Sequence, residues 1–272
     1  LKNLFITFIL FALSACVTST EQGATGIRRT QFLTGVSSEE VTSESIKSYE
    51  QTKSEAQKKG LLDKDANQAQ RVLLISKKLI PQTSVFRKDS LNWPWEVHVI
   101  TSPELNAYCM PGGKIIFYSG IIEKLHLTDG EIAAIMGHEI SHALREHGRE
   151  RLAEEKMRQG ITQGGLALLV AGGYLDQKYA GAAMMGATAF GTMIVSLPHS
   201  RGQESEADTM GVELMARAGY DPHEAMNLWR KMGSQGGSKP PEFLSTHPAD
   251  NTRLNHIESL LPTVMPLYEK AR

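Results

Sequence analysis

His138-Glu139-Ile140-Ser141-His142 sets two imidazoles four residues apart, with a carboxylate beside the first. On an α-helix such positions lie one turn apart on nearly the same face, so both rings can grip one ion. A zinc ion held this way lowers the pKa of its bound water to about 7, and a carboxylate within hydrogen-bond reach can take the proton as that water attacks a polarised carbonyl. Glu139 stands where that base is needed. Two histidines leave a tetrahedral site short of a third protein ligand. A metzincin would supply it from a histidine at position 148 after a glycine at position 145, but the chain has Gly148 and Arg145, which excludes that class. His147 lies five residues beyond His142, out of phase, and reads as solvated or as an outer partner. The preferred third ligand lies in Glu204-Ser205-Glu206-Ala207-Asp208. Glu204 and Asp208 share one helical face. One carboxylate can therefore bind the ion while the other accepts the remaining N–H of a ligating histidine. Glu206 points elsewhere and is expected to face solvent or cap the helix.

These residues need elements to hold them. Ser37 or Ser38 before Glu39 and Glu40 starts a helix that Gly60 stops, and a second runs from about Asp65 to Ile80, ended by Pro81. The apolar period becomes two at Trp95, Val97 and Val99. Residues 107–110 and 114–118 flank Pro111-Gly112-Gly113, which predicts a small antiparallel sheet with a hairpin. Thr128-Asp129-Gly130-Glu131 has the form of a capping box and opens the helix that carries the two histidines. Residues 160–198 are rich in Gly and Ala and read as a closely packed helical insertion, near the cleft and against a membrane, or else a buried hairpin or oligomer contact.

The 272 residues carry 29 Lys+Arg against 30 Asp+Glu, a balance that leaves no whole-chain attraction for nucleic acid. Two cysteines, Cys16 and Cys109, are too few for a disulfide framework. Lys2, the uncharged run from Leu4 to Leu13 and the small residues Ser14 and Ala15 form a leader too short to span a bilayer. Leu13-Ser14-Ala15-Cys16 resembles the lipobox of bacterial lipoproteins, which implies a lipidated Cys16, and Val17 after it favours the outer membrane. The expected organisation is a signal peptide over 1–15, a lipidated cysteine with a polar tether over 16–36, and a catalytic domain over 37–272 that includes the 160–198 insertion.

His-Glu-x-x-His, Glu-x-Glu-Ala-Asp, the segment 106–113 and Ser245-Thr246-His247-Pro248 with Arg253 occur in the order of the CAAX-prenyl-protease, HtpX and BepA family of zinc endopeptidases. The chain resembles that family over roughly residues 28–262, most of all its envelope lipoprotein members. The resemblance implies an α+β, mainly helical, zincin-like (gluzincin) domain with one zinc ion on His138, His142 and Glu204. It further implies Glu139 as general base and Asp208 as the outer carboxylate. Asn106, Ala107, Tyr108, Met110, Pro111, Gly112 and Gly113 would form an edge strand offering unpaired backbone groups to an extended substrate, unless they make an ordinary hairpin. Cys109 among them reads as a buried small apolar residue rather than a nucleophile. His247 would be a latch over the zinc or an oxyanion donor, unless it merely packs its loop, and Arg253 would fix the loop or the cleft through a carboxylate. The implied partners are unfolded or misfolded proteins and, through the lipid, the periplasmic face of the outer membrane, with oligomers possible. A zinc-stabilised chaperone or scaffold that rarely cuts is the alternative function.

Overall fold

The computed structural model describes residues 16–171, 199–234, 242–247 and 251–272. Helix α1 (Ser38–Lys58) starts at Ser37, whose hydroxyl accepts the Glu40 N–H, and α2 (Ala66–Leu79) starts at Asp65, which accepts from Asn67 and Gln68. These side chains satisfy donors that the first helical turn leaves unpaired. Pro81 has no N–H to continue α2, and the chain passes into short 3-10 turns over Ile80–Val85 and Lys88–Asn92.

Three strands follow, β3 (Glu96–Ile100), β4 (Ala107–Met110) and β5 (Lys114–Tyr118), the two-residue β1 (Cys16–Val17) and β2 (Gln31–Phe32) preceding them. The order is β3-β5-β4, with β4 antiparallel and β3 parallel to β5. The small sheet is thus mixed rather than antiparallel throughout. The hairpin at Pro111-Gly112-Gly113 joins β4 to β5, and both glycines take positive φ there. The crossover from β3 runs through β4 before reaching β5, so β3 enters alongside its partner. That leaves β4 at the sheet edge.

After α3 (Ser119–Lys124), the metal-helix candidate α4 (Asp129–Leu144) opens on the full Thr128/Glu131 capping box. It is buried from Glu131 to Leu144, with Ile132, Ile135, Met136 and Ile140 in the main core beside Ile115 and Phe117 of the sheet. Each such aliphatic side chain contributes roughly 1.5–3 kcal/mol by leaving water. Helix α5 (His147–Ala171) covers the start of the expected insertion; the rest of it, 172–198, lies outside the described residues. Helix α6 (Arg201–Arg217) has its own capping box, Ser200 with Gln203, and crosses α4 at a glycine pair. A Cβ on Gly211 would lie 2.8 Å from the His138 backbone N, and one on Gly137 2.8 Å from the Gly211 carbonyl oxygen. Only two glycines let the helices approach this closely. Helix α7 (His223–Gly233), the short α8 (Glu242–Thr246) and α9 (Asn251–Ala271) complete the chain, and α9 continues through Pro262. Among the described residues no helix is long and apolar enough to cross a membrane.

Residues 17–36, expected as a tether, are instead a strap docked on the domain. Ala24 and Thr25 donate backbone N–H groups to the Glu213 carboxylate on α6, and Gln31 is fully buried, its amide donating to the Arg145 carbonyl at 2.5 Å. The polar composition that suggested a solvated linker serves buried charged partners.

Candidate metal centre and cleft

Helix α4 delivers His138 and His142 to one point, and the glycine crossing brings α6 near enough for Glu204 to meet them. His138 Nε2 lies 3.0 Å from His142 Nε2 and 3.5 Å from Glu204 Oε2, while His142 Nε2 is 3.4 Å from Glu204 Oε1. His247, at the end of α8, joins them with Nδ1 2.9 Å from Glu204 Oε1. One donor atom from each of these four buried residues lies within 4.8 Å of the others. Two imidazoles and a carboxylate are a donor set that suits zinc. Glu204 Oε2 is buried and accepts no hydrogen bond; Arg253 Nη1 is 2.7 Å away, so that contact is an ion pair and not a well-aligned hydrogen bond. A carboxylate oxygen left so in a buried site fits an additional cation.

Each histidine has its far nitrogen occupied. His138 Nδ1 lies 3.0 Å from Asp208 Oδ1, and Arg253 clamps both Asp208 oxygens, with Nε 2.7 Å from Oδ2 and Nη2 2.6 Å from Oδ1. The Arg253 guanidinium also stacks on Trp229, 3.6 Å from the ring centroid. His142 Nδ1 lies 2.8 Å from His147 Nδ1, and His147 Nε2 is 3.0 Å from Glu206 Oε2. His147 is therefore buried rather than solvated, and Glu206, expected at the surface, is buried against it and against Arg145 and Arg29.

The field of these groups is uneven. Burial alone would lower His138, but Glu204 and Asp208 raise it to about 9. Burial dominates at His142 and holds it well below its ordinary value. It likewise takes His147 down to about 4 despite Glu206. Glu204, although buried, is held well below the carboxylate range by His247 and His138. Glu139 goes the other way: burial raises it, only partly offset by His247 and His138. Its Oε1 is buried without a hydrogen bond, 3.4 Å from His247 Nε2.

Glu139 and His142 open onto a cleft of about 380 Å³ that runs along β4, from Asn106 to Pro111. The Asn106 and Met110 carbonyls accept from Tyr118 and Gly113 on the β5 side. By the alternation of an antiparallel ladder, Ala107 and Cys109 present their N–H and C=O groups away from β5. The Asn106 side-chain oxygen already accepts the Ala107 N–H. Tyr108 and Met110 pack in a second small core, Gly112 lies over Thr42 of α1 and Gly113 over Trp95. Cys109 is buried, and burial raises its thiol pKa. Arg151 and His199, in contact with each other, line the same cleft and were not singled out from the sequence.

Fold and site together define a metallopeptidase built on a two-histidine helix with a glutamate from a second helix. Residues 66–261 match peptidase family M48, and the chain belongs to that family. It is 36% identical over 170 residues to the mitochondrial metalloendopeptidase OMA1 of Schizosaccharomyces pombe, a match covering 62% of this chain and 47% of that protein. OMA1 of Arabidopsis thaliana is 35% identical over 159 residues, 58% of this chain and 30% of its own length. The beta-barrel assembly-enhancing protease of Yersinia pestis is 28% identical over 186 residues, 67% of this chain and 37% of that protein. The chain thus spans about half or less of the length of these relatives.

Proposed function

We propose that this chain is a zinc-dependent endopeptidase that hydrolyses peptide bonds of unfolded or damaged proteins in a bacterial envelope, anchored there by lipid on Cys16. The observation that carries this reading is the meeting of the His138–His142–Glu204 cluster and Glu139 with a cleft lined by the outer edge of β4. His138, His142 and Glu204 would hold the ion. Zinc there supplies a Lewis acid and a water that ionises near neutral pH. Asp208 and His147 keep the far nitrogens of the two histidines engaged, so both Nε2 atoms face the site. Glu139 Oε1, unpaired and raised in pKa by burial, is the atom placed to take a proton and hand it on to the leaving amine. The outward carbonyls of Ala107 and Cys109 accept from the backbone of an extended peptide, which binds a chain with little regard for its side chains. Arg253 holds Asp208 and also pairs directly with the Glu204 carboxylate.

His247 fits a latch better than an oxyanion donor, because its Nδ1 stands among the ligating atoms. Held there it takes the position that catalysis needs open. His247→Ala is expected to raise cleavage several-fold with zinc retained; a fall would assign it to oxyanion stabilisation instead, and unchanged activity would remove both roles.

Envelope location is supported by the lipobox-like Leu13-Ser14-Ala15-Cys16 and by likeness to bacterial proteins named for β-barrel assembly. Intact-mass measurement of membrane-extracted protein should show a diacylated Cys16 and no residues 1–15; an unmodified Cys16 overturns the anchor. For the activity, casein is incubated with wild type and Glu139→Gln and the fragments are mapped. Cleavage by the wild type alone is expected, whereas equal cleavage by both sinks the assigned mechanism. Binding of casein without cleavage by either would favour the chaperone alternative.

A further inference from the structure

We propose that the N-terminal strap is a working part of the metal site: Arg29, acting through Glu206 and His147, fixes which nitrogen of His142 is presented to zinc. This rests on the zinc reading above and goes beyond it, since Arg29 lies outside the 66–261 family match.

Protons along the chain of contacts can be assigned one at a time. A carboxylate has only acceptors to offer, so His147 donates Nε2–H to Glu206 Oε2 over 3.0 Å. A neutral imidazole carries one N–H, so His147 Nδ1 is left with a lone pair. That lone pair lies 2.8 Å from His142 Nδ1, which must therefore be the donor. His142 Nε2 is then the bare nitrogen, and it is the one that faces His138 and Glu204. Asp208 does the same for His138 in a single step. An imidazole in place of a carboxylate works only if its own orientation is fixed from behind, and Glu206 does that.

Glu206 is in turn clamped from two sides. Arg29 donates Nε to Oε1 and Nη2 to Oε2, both at 3.0 Å, and Arg145 donates Nη2 to Oε1 at 2.9 Å and Nε to Oε2 at 3.3 Å. The carboxylate cannot rotate without breaking this double fork, and its Oε2, held by both arginines, faces His147 Nε2. Arg29 is also tied to Glu150 on α5, at 2.6 and 2.8 Å, so it bridges α5 and α6 behind the site. The strap reaches this point in a fixed register, because Gln31 and Thr20 bond to Arg145 on either side of it. A segment of the chain about 110 residues before His138 thereby sets the orientation of its neighbouring ligand.

Zinc affinity of the purified full chain, measured by chelator competition, tests this, with the visible spectrum of the cobalt-loaded protein as a second readout. His147→Leu removes both hydrogen bonds and is expected to weaken zinc binding by about 10–100-fold, the usual cost of losing a partner of a ligating histidine. His147→Gln, whose amide can accept from His142 and donate to Glu206, is expected to stay within about threefold of wild type. Arg29→Met is expected to lose about three- to tenfold and to alter the cobalt spectrum. Should His147→Leu fail to fold, Arg29→Met decides, since Arg29 is 37% exposed and leaves Arg145 on Glu206. Wild-type affinity and spectrum in folded Arg29→Met overturn the strap's role, and His147→Gln as weak as His147→Leu overturns the proton assignment. A wild-type protein that binds no zinc overturns the zinc reading itself, a result distinct from either.

Discussion

His138 and His142 sit one turn apart on a single helix, yet the protein holds them by different means. Behind His138 stands a carboxylate, Asp208, locked by an arginine stacked on Trp229. Behind His142 stands another imidazole, and its carboxylate is one residue further out, shared between Arg145 and a strap from the other end of the chain. The groups that hold His138 from behind come from α6, α7 and α9. The His142 half draws in parts that no local motif specifies. A short motif can therefore place two ligands alike in space and leave their proton states to unrelated neighbours.

The sharpest break of this comparison removes a ligand outright. His138→Ala should lose both zinc and cleavage, whereas Glu139→Gln should keep stoichiometric zinc, by metal analysis, and lose cleavage on the order of 10³-fold. Next comes the orienting carboxylate. Asp208→Asn should weaken zinc binding by about 10–100-fold, because the amide cannot hold both the Arg253 fork and the His138 N–H. A larger loss there than for Glu206→Gln, which keeps the imidazole between, is the expected result; equal losses would erase the distinction between the two halves. Gly211→Ala probes the His138 side through the backbone. The new Cβ meets main-chain atoms at 2.8–3.0 Å, so the helices must part, at a cost of about 1–3 kcal/mol in thermal unfolding. An unchanged melting temperature would mean that the crossing is looser than its geometry implies. The smallest effect belongs to a charge cluster at the start of β3. Burial would raise Glu96, but Lys53, His98 and Lys114 take it down to about 2, against an ordinary 4.5. A lowered carboxyl pKa stabilises the folded state above pH 4.5, and that contribution fades as pH falls toward 2. Glu96→Gln should flatten this part of the acid unfolding curve and leave zinc affinity alone.

Much of this was legible in the sequence where the cause is local. Ser37, Asp65 and Thr128 cap the helices they were expected to start, because capping depends on residues two or three apart. His138, His142 and Glu204 are brought together as their helical phases imply. Glu206 was misplaced for a physical reason: its phase relative to Glu204 was right, but α6 is buried on nearly every side from Gln203 to Ala216, so pointing away from the metal does not mean pointing at water. The low apolar content of α6 hid this, since its buried polar residues are satisfied by partners far off in the chain. Gln31 and Arg29 failed as linker residues on the same account, with Arg29 and Glu206 separated by 177 positions. The parallel entry of β3 is likewise a pairing between distant segments, which alternation of apolar residues cannot encode.

The sheet has one further consequence. Its β3 side is partly closed by the Leu62–Ile100 bridge, and its β4 side lines the cleft. All four residues of β4 are buried, so that edge lies at the bottom of a slot and not on a convex surface. A strand edge on the outside of a protein invites any other sheet to add to it. An edge in a slot is a gauge of thickness. A single extended chain has free backbone groups to lay along it, whereas the strands of a folded domain are already paired. Under the proposed reading, the burial of this edge favours an extended chain over a domain whose strands are already paired, before any side chain is read.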